Sequence, residues 1–259
     1  MQETQASLYD FPKYYDLLFG SDWKAEYEFL LACFDNYARC EVQRIFEPAC
    51  GTGRLLIKLG QAGYEVAGND LNPKAVQFCN QRFKRYGLPE TVVLGDMSRF
   101  KLKKKVQAAF NTINSFRHLD SEEAAESHLQ CVADALSRGG LYILGLHLTP
   151  TMGDRIESEE WTARRGHLQV NSVMWTKDLD LKNRNEKLGM TIDVYTPTRT
   201  LRIVDEMNYR TYTAEQFARL LSTCPSLEIA GVHDFCYEVE TPVEVTSRTE
   251  DVVFVLRKR

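Results

Sequence analysis

A glycine-containing turn near residue 50 constrains the fold of this chain more than any other feature. An apolar run ends at Glu47, small residues lead to Gly51 and Gly53, and an amphipathic stretch begins at Arg54. This order predicts a strand, a tight turn and a helix. The two glycines permit positive φ and the close approach of a ligand, while the unpaired N–H groups of the following helix point toward it. The turn therefore predicts a ligand-binding site.

Two common phosphate-binding motifs fit this turn poorly. A nicotinamide or flavin fingerprint requires a third glycine three positions after the second, where this chain has Leu56, and Glu47 would repel a pyrophosphate. No Gly-Lys-Ser or Gly-Lys-Thr follows, which excludes a P-loop. A turn that merely joins a strand to a helix is the remaining alternative. Asp70 and Asp96 argue against it, because each ends a further apolar run.

Strand and helix patterns alternate from residue 42 to residue 148, which predicts a parallel sheet with helices on both faces. The three carboxylates then lie at the carboxyl ends of its strands, where ligands bind in such sheets. After residue 150 the pattern changes to an antiparallel meander. Its three predicted β-rich runs are 170–181, 188–196 and 200–212. A capping box at 213–216 opens a helix, and two more strands close the chain.

Four segments resemble those of a known family: Glu47–Gly53, Val66–Asn72, Leu94–Met97 and Ile113–Leu119. Their order and approximate spacing are similar to those of the class I S-adenosylmethionine-dependent methyltransferases, over roughly residues 10 to 259. The resemblance implies an α/β fold with a doubly wound, mostly parallel seven-stranded sheet, Rossmann-like, and an antiparallel β insertion as a lid. It divides the chain into an N-terminal helical cap (1–40), a cofactor-binding core (41–149 with 209–259) and the lid (150–208).

The resemblance also implies how S-adenosylmethionine is held. Glu47 would face the methionine ammonium, with the backbone of Ala49 and Gly51 beside it. Asp70 would accept both ribose hydroxyls, because a carboxylate has lone pairs for two donors. The family often has an acidic residue at the start of the fourth core strand, where this chain has Gln107.

The adenine end of the implied site follows the second and third core strands. Leu71 would lie against the ring, Asp96 would accept from its amine, and the Met97 backbone N–H would meet a ring nitrogen. A turn-forming aspartate is the alternative for Asp96. The other residues expected at the cofactor are Tyr15, Gly53 and Asn114, with Tyr15 on an N-terminal helix that folds over the cofactor.

Methyl transfer from a sulfonium is an in-line displacement, so alignment in a dry site matters more than a general base. His118 follows the fourth core strand and His147 lies near the end of the fifth, and a histidine can accept a proton near neutral pH. A structural histidine is the alternative at both positions.

Three lid residues are the expected substrate contacts: Trp175, Arg210 and Tyr212. Glu206 with residues 210–212 resembles the end of the lid in small-molecule N-methyltransferases. An exposed β-face with cross-strand charge pairs would carry the same residue types.

The composition limits the kinds of partner that we expect for this chain. A net charge of −4 provides no global attraction for nucleic acid or an anionic membrane. Seven cysteines without a Cys-x-x-Cys pair indicate free thiols in a reducing compartment and suggest no metal site. The N-terminus lacks the features of a signal peptide, and no apolar run approaches roughly 18 residues. We therefore expect a cytoplasmic protein with no membrane contact; the oligomeric state is not predicted.

The predicted function is methyl transfer from S-adenosylmethionine to a nitrogen or oxygen of a small molecule. The sequence leaves two alternatives open. The acceptor could instead be RNA or protein, with RNA contacted through the basic segment 101–105, or the chain could bind the cofactor without turnover.

Overall fold

The computed structural model describes residues 2–21, 23–153, 155 and 157–259. The strands within these residues are β1 (Gln2–Gln5), β2 (Arg44–Pro48), β3 (Glu65–Asp70), β4 (Val92–Leu94), β5 (Val106–Asn111), β6 (Leu136–His147), β7 (Ser158–Arg165), β8 (Leu168–Asp180), β9 (Asn185–Thr196), β10 (Arg199–Arg210), β11 (Leu227–His233) and β12 (Asp251–Lys258). The helices are α1 (Pro12–Gly20), α2 (Lys24–Tyr37), α3 (Arg54–Gln61), α4 (Pro73–Arg85), α5 (Glu122–Ala135) and α6 (Ala214–Ser222), with 3₁₀ turns at Leu8–Asp10 and Ser115–His118. None of these helices is long and apolar enough to cross a lipid bilayer.

The larger sheet has seven strands in the order β11-β12-β6-β5-β2-β3-β4. Strand β12 runs antiparallel to both neighbours, while the pairings among β2 to β6 are parallel. Successive side chains of β5 enter opposite layers: Ala108 and Phe110 pack with α2, α3 and α4, and Ala109 packs with α5 and α6. The predicted doubly wound, mostly parallel seven-stranded sheet is confirmed.

Local sequence signals explain where the helices of this layer begin. The Asn72 side chain accepts from the N–H groups of Lys74 and Ala75, and Pro73 occupies the first turn of α4. At α6, Thr213 and Gln216 form the predicted capping box. These caps fix the helices that follow β3 and β10.

The smaller sheet has five strands in the order β1-β10-β9-β8-β7. Strands β7 to β10 form an antiparallel meander, and β1 pairs in parallel with the outer edge of β10. The sequence predicted three of these strands and missed β7 and β1. Both are polar, and Ala163 is the one fully buried side chain of β7, so neither shows the apolar alternation that marks a strand.

An apolar layer joins the smaller sheet to the N-terminal segment. Leu17 and Leu18 of α1 pack against buried residues of β8 and β9, including Val170 and Ile192. The five-stranded sheet therefore covers the N-terminal segment at the carboxyl edge of the larger sheet, and we call strands β7 to β10 the lid.

Replacement of Gly53 by alanine is expected to destabilise the fold by about 2–4 kcal/mol. Gly53 has a φ of 65°, and an added Cβ would lie 2.3 Å from the Cys79 sulfur. Gly166 has a φ of 61° with no atom within 4 Å of an added Cβ, so Gly166→Ala isolates the cost of the backbone alone, about 1 kcal/mol. Urea unfolding measures both. Equal losses in the two variants would show that the contact with Cys79 carries no cost.

Candidate functional site

The glycine turn lies at the carboxyl edge of the larger sheet, between β2 and α3. Its backbone takes positive φ at Ala49 (52°), Gly51 (54°) and Gly53 (65°). The Gly53 N–H donates to the Cys50 carbonyl at 2.9 Å, and the Cys50 N–H donates to the Asn69 carbonyl of β3 at 2.9 Å. One backbone hydrogen bond thus closes the turn and the other holds it against β3.

Asp70, the last residue of β3, organises this edge. One carboxylate oxygen accepts from the Gly51 N–H and the other from the Asn72 N–H, each at 2.8 Å. Burial raises the pKa of Asp70, although these two N–H groups oppose the rise. Each oxygen retains a lone pair, so the carboxylate can accept two further donors.

A first cavity of about 500 Å³ opens between the turn, the β3–α4 connection and the N-terminal segment. Six of the residues predicted from the sequence to bind the cofactor line it: Tyr15, Ala49, Gly51, Asp70, Leu71 and Met97. Leu71 is 67% exposed although it is apolar, so it offers a bare face to a flat ring. The size and the mixed lining suit a nucleoside-containing ligand.

Glu47 and Arg54 lie beneath the turn and have unsatisfied polar atoms. Among the described residues, Glu47 Oε2 and Arg54 Nη1 are buried without a hydrogen-bond partner. Arg54 Nη2 pairs with Glu26 at 2.5 Å. Burial raises the pKa of Glu47, against the opposing charge of Arg54. The amino-acid part of a ligand would supply both missing partners: its ammonium could pair with Glu47 Oε2, and its carboxylate could pair with Arg54 Nη1.

The remaining three predicted cofactor residues do not line the first cavity. Gly53 packs against Cys79, and one oxygen of Asp96 accepts from the Ser98 N–H at 2.7 Å and from the Ser98 hydroxyl at 2.8 Å. The Asn114 side chain accepts from the His147 N–H at 3.0 Å, and Asn114 borders a second cavity.

This second cavity, of about 350 Å³, lies between the larger sheet and the lid. Four residues line both cavities and mark their junction: Tyr9, Tyr15, Ser115 and His118. The walls of the second cavity are rich in aromatic and methionine side chains. Its charged or titratable members other than tyrosine are Glu26, His118, His147, Glu159 and Asp251, with no lysine or arginine among the described lining residues.

The two histidines proposed for catalysis occupy different environments. His118 Nε2 is hydrogen-bonded to the Tyr9 hydroxyl at 2.7 Å. Burial, and then the charge of Arg117, lower the pKa of His118 to about 4. His147 lines the second cavity but not the first, and its Nδ1 is 2.7 Å from Asp251 Oδ1.

The three predicted lid contacts are dispersed. Trp175 lines a small cavity of about 50 Å³ that shares His147 with the second cavity. Arg210 pairs with Glu122 of α5 at 2.9 Å, and Tyr212 is fully buried in the core of the larger sheet. Neither Arg210 nor Tyr212 lines a cavity described above.

Sequence reasoning did not select Tyr9, Glu159 or Asp251, all of which line the second cavity. From the sequence, Arg54 is identified only as the start of the amphipathic stretch that follows the turn. An arginine directly after Gly-x-Gly could have predicted a ligand contact, because the first residue of α3 must lie under the turn. No local pattern marks Tyr9 or Asp251, because each contacts a histidine that is distant in sequence. Tyr9 is 109 residues from His118, and Asp251 is 104 residues from His147.

The sequence of this chain is similar to those of known methyltransferases. Residues 45–140 match the sequence model of a family described as "Methyltransferase domain". A curated relative is the tRNA (guanine(10)-N2)-dimethyltransferase of Methanothermobacter thermautotrophicus, 26% identical over 155 residues. That match covers 53% of this chain and 46% of the relative, so the chain spans about half the length of that protein.

Solved structures match over nearly the full length. An S-adenosylmethionine-dependent methyltransferase from Clostridium acetobutylicum has a TM-score of 0.77 at 19% identity, covering 96% of this chain and 97% of the other. The sugar N-methyltransferase KedS8 from a Streptoalloteichus species has a TM-score of 0.73 at 16% identity, covering 100% and 96%. These similarities establish the fold.

The fold, with its ligand cavity at the carboxyl edge of the sheet, is that of a Rossmann-like methyltransferase. Residues 45–140, which include the glycine turn and Asp70, match a methyltransferase domain, and together with the shared fold this match supports an enzyme that uses S-adenosylmethionine as its cofactor.

We expect cofactor affinity to depend on pH through Glu47. Because burial raises the pKa of its carboxyl group, Glu47 holds a proton at a higher pH than an ordinary glutamate, and binding an ammonium requires that proton to leave. Affinity should therefore fall as pH decreases toward 5. Glu47→Gln should bind S-adenosylmethionine about 10- to 100-fold more weakly near neutral pH. The affinity of this variant should also depend less on pH, and the dependence that remains is expected to come from Asp70. Calorimetry between pH 5 and 7 measures both effects, and an unchanged slope would remove Glu47 from the site.

Proposed function

We propose that this protein transfers a methyl group from S-adenosylmethionine to an amine nitrogen of a small molecule. The observation that carries the proposal is the junction of the two cavities at Tyr9, Tyr15, Ser115 and His118. A cofactor in the first cavity and an acceptor in the second would meet there, as an in-line displacement requires.

The size and cover of the second cavity support a small acceptor. Its volume of about 350 Å³ is in the range of small-molecule sites, and the lid lies over it. An RNA acceptor, as named for the tRNA methyltransferase relative, would need an open track of cations beside the reacting base. The described lining of the second cavity contains no lysine or arginine.

The charges of the second cavity support nitrogen as the acceptor atom. Glu159 and Asp251 are acidic, while Glu26 is neutralised by Arg54 at 2.5 Å. Carboxylates attract an ammonium and do nothing comparable for a neutral hydroxyl. The similarity to a structure named as a sugar N-methyltransferase supports the same choice.

S-adenosylmethionine, when bound, supplies the electrophilic methyl group on a sulfonium. Glu47, Arg54 and Asp70 would hold the cofactor at its two polar ends, and Leu71 would lie against the adenine. The Tyr9 and Tyr15 rings would face the junction, where an aromatic surface stabilises positive charge. His118, with its pKa lowered to about 4, stays uncharged near neutral pH and therefore does not repel the sulfonium.

Methyl transfer from radiolabelled S-adenosylmethionine to matched pairs of small amines and alcohols tests the proposal. The pairs should include amino sugars and the corresponding hydroxyl sugars, with total RNA as a separate arm at low salt. We expect labelled product and S-adenosylhomocysteine from amines alone. Labelling of alcohols or of RNA, or no release of S-adenosylhomocysteine with any acceptor, would overturn it.

A further inference from the structure

Three strands bring a second set of titratable groups together on one wall of the second cavity. His147 ends β6, Asp251 begins β12, and Glu159 belongs to β7 of the lid. All three side chains line this cavity. The group thus joins the larger sheet to the lid on a wall that the acceptor would touch.

The contact with Asp251 determines the state of the His147 ring. With Nδ1 2.7 Å from Asp251 Oδ1, the neutral ring donates its Nδ1–H to the carboxylate. Nε2 is then an acceptor, and it makes no hydrogen bond among the described residues. The Phe235 ring packs edge-on to the imidazole, with 5.0 Å between the ring centroids, and restricts its rotation.

Glu159 differs from the other carboxylates of this wall. It has no ion pair within 4 Å among the described residues, whereas Asp251 bonds to His147. Burial raises the pKa of Glu159, His147 opposes the rise, and Asp251 and Glu250 add to it. A bound cation would relieve the repulsion among these acidic groups.

His118 lacks these properties. Arg117, the adjacent residue, opposes a positive charge on its ring, and the Tyr9 hydroxyl occupies its Nε2. Of the two histidines, His147 is therefore the one whose Nε2 has no hydrogen-bond partner among the described residues and whose cavity wall carries two acidic side chains.

We propose that Glu159, His147 and Asp251 form a centre that binds the ammonium form of the acceptor and takes up its proton. This inference rests on the proposed amine methylation and names the residues that would prepare the amine. Glu159 binds the ammonium. A proton of the ammonium then passes to His147 Nε2, which leaves a neutral amine and an imidazolium paired with Asp251. The lone pair of the amine nitrogen forms the N–CH3 bond as the S–CH3 bond breaks, and the electron pair of the S–CH3 bond stays on sulfur. Asp251 is a positioning residue for the His147 ring.

Ligand binding to the S-adenosylhomocysteine-loaded protein tests this centre without a known acceptor. The probe is benzylammonium, and benzyl alcohol is its uncharged analogue. We expect benzylammonium to bind about 10- to 100-fold more tightly, the size of one charge-assisted hydrogen bond, and to shift the ring ¹⁵N signals of His147. Glu159→Gln should abolish that preference. Glu160→Gln should preserve it, since Glu160 is the exposed neighbour on the opposite face of β7.

The ¹⁵N signals of the His147 ring also show whether Asp251 positions that ring or only stabilises the fold. Asp251→Ala should mix the two tautomers of His147, while Asp251→Asn, which keeps an acceptor oxygen for Nδ1–H, should restore the wild-type tautomer. Equal binding of the two probes, no binding of benzylammonium, or a preference that survives Glu159→Gln would overturn the inference. If amines are methylated but the ammonium preference is absent, the inference alone fails. If the preference holds but no amine is methylated, the proposed function fails.

Discussion

Asp70→Ala is expected to weaken S-adenosylmethionine binding by about 100-fold or more. The substitution removes a carboxylate that would accept two ribose hydroxyls, and each charge-assisted hydrogen bond contributes about 1.5–3 kcal/mol. It also frees the Gly51 and Asn72 N–H groups, both of which Asp70 holds at 2.8 Å. Calorimetric titration with S-adenosylmethionine measures the loss.

Two further variants serve as controls for the Asp70→Ala titration. Glu65→Ala removes an exposed carboxylate from the other end of β3 and should leave affinity unchanged. Asp70→Asn keeps the shape and one acceptor oxygen, so its affinity should be intermediate. If Asp70→Ala binds the cofactor as tightly as the unaltered protein, the first cavity is not the ribose site.

The larger sheet was predictable because its signals are local. The run before Glu47, the cap at Asn72 and the capping box at 213–216 each lie within a few residues of the element they define. Parallel strands place their carboxyl ends at one edge, so the positions of Glu47 and Asp70 near each other followed from strand order alone.

The lid was only partly predictable for the opposite reason. Strand β7 is polar along most of its length and β1 is an edge strand of four polar residues, so their pairing depends on β8 and β10 and not on their own sequence. The second cavity depends on this pairing, because β7 carries Trp161 and Glu159 to its wall.

Residue type alone could not separate an acceptor contact from a tertiary ion pair. Arg210 has the charge expected for either role, and its guanidinium lies against Glu122 of α5, where Arg184 also pairs at 2.5 Å. The sequence contains no sign of this arrangement, since Arg210 and Glu122 are 88 residues apart. A role for Arg210 and Tyr212 in binding the acceptor stays a prediction, and Arg210→Met assayed with the amine panel would test it.

The other large effect is expected at a buried ion pair that joins the lid to the larger sheet. Arg117, 5% exposed, pairs through Nη2 with Glu186 of β9 at 2.6 Å and donates from Nε to the Arg210 carbonyl at 3.0 Å. Arg117→Met removes both contacts and leaves the buried Glu186 with Arg155 at 3.3 Å and the Thr176 hydroxyl at 2.7 Å as its remaining partners. We expect a loss of about 3 kcal/mol in the free energy of unfolding at pH 7, measured with urea.

The pH dependence of this loss identifies its cause. Burial alone would raise the pKa of Glu186, but Arg117 outweighs it and the pKa is lowered. A lowered pKa gives stability that is present above the ordinary glutamate pKa of about 4.3 and is lost as pH falls through the folded-state value. Without Arg117 the pKa of Glu186 rises, so the cost of Arg117→Met should begin to shrink as pH falls toward about 4.3 and continue to shrink below it. In a protein that carries Glu186→Gln, the cost of Arg117→Met should lose this pH dependence. The more exposed pair Arg202–Asp193 within the lid is the control, and Arg202→Met is expected to cost less than Arg117→Met. Equal costs at the two pairs would mean that the buried pair does not hold the lid.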